Sequence, residues 1–157
     1  GCLLIKIFAV ILMLIWLFVF GLYDLKSIFK RIAHPYRQLD KEDHDNFGIL
    51  DDTYNLSTFK GRVYLLLTSW VLEIVVFFLL LGLAHVAGIG SELKGTLLLF
   101  LVVSCLADLN TDYYRVNYYL NGTKDYVGCY LGIIIGLFLC YLYGVLIYQV
   151  VTLAILN

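Results

Sequence analysis

Apolar residues fall into four long blocks along this chain, separated by two short polar intervals and one much longer one between the first block and the second. A helix crossing roughly 30 Å of hydrocarbon needs about 20 mostly apolar residues, because each adds about 1.5 Å and no backbone group can go unpaired in lipid. Residues 3–22, 63–86 and 126–156 meet that length. The block 95–109 is short, and it crosses only if it continues through 110–114; otherwise it enters the membrane and returns. The pattern predicts an all-α, polytopic membrane protein with four transmembrane helices. They form a single membrane domain over 1–157, with spans at about 3–22, 63–86, 95–114 and 126–156 and a polar loop at 23–62.

The first block reads as a retained helix rather than a cleaved leader. Asp24, Lys26, Lys30 and Arg31 follow it, where a cleavage site would have small residues. Beyond it, Leu25, Ile28, Phe29 and Ile32 recur at helical spacing until Pro35. This predicts an interfacial amphipathic helix whose Lys26, Lys30 and Arg31 sit among anionic lipid headgroups, each cation contributing on the order of 1 kcal/mol.

Composition sharpens the class. Hydrophobic residues make up 62% of the 157 and charged residues only 15%, too little polar surface for a water-soluble globule. A net charge of -1 leaves no basic patch for nucleic acid. Nine of the 11 lysines and arginines lie in the loops 23–62 and 115–125; Lys6 and Lys94 lie opposite. The positive-inside rule then puts both loops on the cytoplasmic or matrix-like side and both termini on the far side. The sequons at Asn55 and Asn121 fall on the loop side and are expected to be chance matches. Between Asp40 and Asp52 the chain is acidic. Asp43, Asp45, Gly48 and Asp51 match part of a calcium loop, but Phe47 and Tyr54 stand at ligand positions, so a solvated acidic loop is expected there.

Glu73 is the sharpest chemical signal, since an ionised carboxylate at the bilayer centre costs on the order of 2.5–3.5 kcal/mol. It is either a proton or cation site or an intramembrane polar contact to a neighbouring helix or subunit, with Thr68, Ser69 and Trp70 close by in sequence. An ion pathway would usually show more than one buried ionisable group, so the structural contact is the expectation. Asp108, Asp112 and Arg115 follow at helical spacing and predict an interfacial charge cluster, with Tyr113, Tyr114, Tyr118, Tyr119 and Tyr126 as an aromatic belt.

Gly128, Gly132, Gly136, Cys140 and Gly144 recur every four residues, a small-xxx-small stripe suited to close helix packing, either on another span or on a different subunit. No histidine pair suits haem at membrane depth, and Cys2, Cys105, Cys129 and Cys140 lack metal-ligand spacing. No catalytic residue, metal or cofactor is expected.

The run Phe138-Leu139-Cys140-Tyr141-Leu142-Tyr143-Gly144-Val145-Leu146-Ile147-Tyr148 resembles the last membrane helix of the cornichon family of cargo receptors and receptor auxiliary subunits. The likeness is confined to this run, and the second and third blocks depart from the family's pattern. The resemblance implies a chaperoning or auxiliary role beside another membrane protein.

The leading expectation is a non-catalytic accessory subunit of a larger integral membrane complex, respiratory or otherwise energy-converting, docking on other integral membrane subunits through the stripe. The alternatives are a small proton- or ion-coupled transporter or channel using Glu73, and a cornichon-like receptor. An organellar inner membrane, such as the mitochondrial one, is the expected home, with endomembranes or a bacterial inner membrane as alternatives.

Overall fold

The computed structural model describes residues 2–33 and 41–156, all of them helix, turn or connecting segment. Five helices follow in order: α1 Cys2–Ala33, α2 Lys41–Tyr54, α3 Phe59–Val86, α4 Gly90–Asn121 and α5 Tyr126–Leu156. Three of them, α1, α3 and α5, are long and apolar enough to cross a membrane, which is compatible with an integral membrane protein. At 32 residues α4 matches α1 in length. Its second half carries Asp108, Asn110, Asp112 and Arg115, and it is less apolar than the other three.

The long helices run up-down-up-down. Pairs Gly21–Tyr143 and Gly136–Ile28 meet across α1 and α5, and Trp70–Cys105 and Arg62–Asn117 meet across α3 and α4. Helix α1 packs on α5 and α3, and α4 packs on α3 and α5, closing a four-membered ring whose diagonal helices keep their described Cα atoms more than 8 Å apart. Side chains alone must therefore fill the middle. Lys6 Nζ lies near the α3–α4 turn, 3.8 Å from where a Cβ on Gly88 would sit, so that end of the bundle holds the start of α1. The opposite end carries α2 and the α4–α5 turn, and with them Lys26, Lys30, Asn55 and Asn121.

Two segments differ from the sequence expectation. Helix α1 continues unbroken through residue 33, so no separate interfacial helix follows the first span; nothing between Leu22 and Ala33 breaks a helix. The polar stretch 23–62 is helical over most of its described length, and the acidic part is α2 rather than an open loop. Phe47 explains this: it is buried, stacks on Tyr119 at 5.5 Å and lies under the Arg115 guanidinium at 5.5 Å, fastening α2 to α4. Pro35, Arg37 and the side chain of Asp43 lie outside the described residues.

Helix α2 ends where Asn55 turns left-handed, φ 52°, which asparagine tolerates better than most residues. Asp51 Oδ1 accepts from the Leu56 amide at 2.8 Å, Leu56 is fully buried, and Thr58 caps α3 by accepting from the Gly61 amide at 3.1 Å. A Cβ on Gly61 would fall on the carbonyls of Tyr54 and Asn55, so this turn requires glycine.

Candidate functional site

Two apolar clusters hold the bundle. One, at the α3–α4 turn end, centres on Met13, Leu17, Leu80, Leu97 and Leu146. The other, toward α2, centres on Ile28, Leu56, Leu65, Tyr114 and Cys129. Between them lies a cavity of about 350 Å³.

Each of the four long helices turns polar groups into this gap. Asp24, Ser27 and Arg31 line it from α1, spaced i, i+3, i+7 and so on one face. Ser104, Asp108 and Thr111 line it from α4, spaced i, i+4, i+7. Glu73 reaches it from α3 and Tyr143 from α5. An apolar wall completes it, with Trp16 stacked on Phe20 at 4.8 Å and Phe100 edge-on to the Tyr143 ring at 4.8 Å. Trp16 and Glu73 sit near the middles of their helices, whereas Arg31 is in the last turn of α1. The cavity thus runs from the middle of the bundle toward the α2 end, over about 15 residues or roughly 22 Å of α1.

The ionisable groups are paired. The side chains of Glu73 and Asp108 lie within hydrogen-bonding reach of one another. A carboxylate only accepts, so a hydrogen bond joins the two only while one of them is protonated. The Tyr143 hydroxyl donates to the Asp24 carboxylate, and Arg31 lies close enough to Asp24 to interact with its charge. Arg115 stands in the same relation to Asp112. Oδ2 of Asp108 and Oδ2 of Asp112 are buried without a hydrogen-bond partner among the described residues.

Hydroxyls behave differently here from elsewhere. Thr53, Thr68 and Ser69 each donate to the carbonyl four residues earlier, at 3.0, 2.8 and 3.2 Å, the usual way a helical hydroxyl is satisfied. No hydrogen bond joins the hydroxyls of Ser27, Ser104 or Thr111 to another described residue. Ser104 is only 5% exposed.

Other anticipated residues fall as follows. Trp70 donates to the Cys105 carbonyl at 3.0 Å and so joins α3 to α4, while Thr68 and Ser69 bond within α3. Asp108 of the anticipated interfacial cluster belongs to the cavity. Lys26 and Lys30 are exposed on the outside of α1, while Arg31 lines the cavity. Of the tyrosines, Tyr113 and Tyr126 are exposed and Tyr114 is buried in the core.

Three stripe glycines face this chain's own helices. A Cβ on Gly128 would meet Asp125 and the Tyr114 side chain at 3.1 Å, one on Gly132 would fall on Asn110 Oδ1, and one on Gly136 would meet Ile28 at 3.0 Å. Cys140 is half-buried beside the second cluster, and Gly144 has nothing within 4 Å. Close approach lets Asn110 Nδ2 donate to the Gly128 carbonyl at 3.1 Å, tying α4 to α5 beside the cavity.

Asp24, Ser104 and Tyr143 were given no site role by the sequence, and Arg31, expected among lipid headgroups, lines the cavity instead. The polar i, i+3, i+4, i+7 stripes along α1 and α4 are the signal that could have found Asp24 and Ser104 and turned Arg31 inward. Comparison with protein-family models, with curated proteins and with solved structures finds no match to this chain.

Proposed function

We propose that the chain is a small proton- or cation-coupled transporter or channel of the membrane, working through the Glu73–Asp108 pair. In this reading α4 crosses the bilayer beside α1, α3 and α5, keeping its polar face on the cavity. The last turns of α1 reach headgroup level, with Lys26 and Lys30 outward. The observation that carries it is the meeting of Glu73, Asp108 and Asp24 in one cavity that reaches the middle of the bundle. Glu73 alone would fit a structural contact. Three carboxyl groups, one pair of them within hydrogen-bonding reach, fit a site that exchanges a proton for a cation, and burying such groups in lipid without a task is costly. A carboxyl pair that releases its shared proton goes from one negative charge to two facing the same space, and a bound cation can then replace the lost positive charge.

Proteoliposomes holding a trapped pH dye test this. The wild-type protein should shift lumenal pH under an imposed membrane potential or a gradient of Na⁺, K⁺ or a small organic ammonium, and Glu73→Gln and Asp108→Asn should abolish the shift. Wild-type vesicles that respond to none of these gradients, or a Glu73→Gln protein with undiminished rates, would overturn the reading.

An accessory subunit that docks on another membrane protein is the second reading. It draws on Gly144, the stripe position left open on the outside of α5.

A further inference from the structure

The size of the cavity and its unbonded hydroxyls bear on what it binds. A proton or a bare ion needs little more than the roughly 30 Å³ that one water occupies in the liquid. The space between the clusters, about 350 Å³, is instead at the lower end of small-molecule pockets, about 300–1,000 Å³. Its walls divide by chemistry. Carboxyl oxygens of Glu73, Asp108 and Asp24 and the free hydroxyls of Ser104 and Thr111 supply acceptors, against one cation, Arg31, already beside Asp24. Ser104 is the independent sign of an occupant: a residue only 5% exposed whose hydroxyl bonds to no described residue, while Ser69 and Thr68 on α3 close their bonds within the helix. Trp16, Phe20 and Phe100 offer an aromatic surface alongside.

We infer that the cavity binds a small primary ammonium carrying an apolar, aromatic-sized body, its three N–H donors shared among Glu73, Asp108 and Ser104 and its body against Trp16, Phe20 and Phe100. A primary ammonium supplies three donors and no acceptor, the complement of this acceptor set. A quaternary ammonium would satisfy the charge but leave the Ser104 hydroxyl unbonded, and an anion would face three carboxyl groups. Aromatic faces add attraction for the cation through their quadrupoles. This inference rests on the coupled-transport reading and names its substrate class.

Phenethylamine is the probe, measured by equilibrium dialysis against the full chain in nanodiscs, with empty nanodiscs as the blank. Saturable binding at about one amine per chain is expected, with phenethyl alcohol, of nearly the same shape but uncharged, failing to compete. Loss of one charged acceptor should weaken binding by about tenfold to a hundredfold in Glu73→Gln and in Asp108→Asn. Ser104→Ala should weaken it by a few-fold up to about tenfold. Binding no greater than the blank, equal competition by the alcohol, or unchanged affinity in both carboxyl variants would overturn the inference. The alcohol comparison needs only the wild-type chain, so it decides even if a variant fails to fold. Glu73-dependent pH shifts in vesicles without amine binding would remove the amine and leave coupled transport standing. Amine binding without any pH shift would do the reverse.

Discussion

Replacing Gly132 with alanine probes whether the glycine stripe of α5 serves the inside of this bundle. The added Cβ would fall on Asn110 Oδ1, so Asn110 must move. Moving it breaks the 3.1 Å bond from Nδ2 to the Gly128 carbonyl, worth about 1–1.5 kcal/mol. Crowding of a packed interface adds about 1–3 kcal/mol. Alanine returns about 1 kcal/mol through its better helix propensity. The net is a loss of about 1–3 kcal/mol. Gly144→Ala is the matched control, because nothing lies within 4 Å of its Cβ position and only the propensity gain of about 1 kcal/mol applies. Unfolding in mixed micelles titrated with SDS gives both numbers. A Gly132→Ala protein as stable as wild type, beside a Gly144→Ala protein that loses stability or a co-purifying partner, would refute the internal role and favour docking.

Two further substitutions test the α2 end. Gly61→Ala must push the Tyr54 and Asn55 carbonyls aside, and thermal unfolding in mild detergent should show a loss of about 1–3 kcal/mol with faster proteolysis within α2; wild-type behaviour would contradict the tight turn. Phe47→Ala removes a buried ring from between Arg115 and Tyr119, and should cost about 3–5 kcal/mol or release α2 to protease while α1, α3, α4 and α5 stay protected.

How much of this was legible beforehand depended on where each helix ends. Length and apolarity marked the cores of α1, α3 and α5, and 126–156 matches α5 to the residue. Hydropathy alone stopped the first span at Leu22, because Asp24, Lys26 and Arg31 look like a solvated flank when read singly. They are instead successive turns of one helix, in which Lys26 faces out and Asp24 and Arg31 face in. The same effect made Asp108 look interfacial: charge content lowers the apolarity of α4, while its i, i+4, i+7 register with Ser104 and Thr111 aims it at Glu73. Glu73 was visible because it stands in an otherwise uncharged block, but its partners lie on other helices, and tertiary packing supplies them. Helix α2 was hidden by its acidic composition; its packing rests on Phe47 and the buried Leu56 just beyond it.

On the coupled-transport proposal, Glu73 and Asp108 hold one exchangeable proton between them at the middle of the bundle. Infrared difference spectroscopy of the protein in lipid, taken between acid and alkaline buffer in H₂O and D₂O, reads protonated carboxyls directly. A protonated-carboxyl C=O band that shifts in D₂O and disappears in both Glu73→Gln and Asp108→Asn is the expected result. A spectrum without such a band, or one that either substitution leaves unchanged, would contradict it.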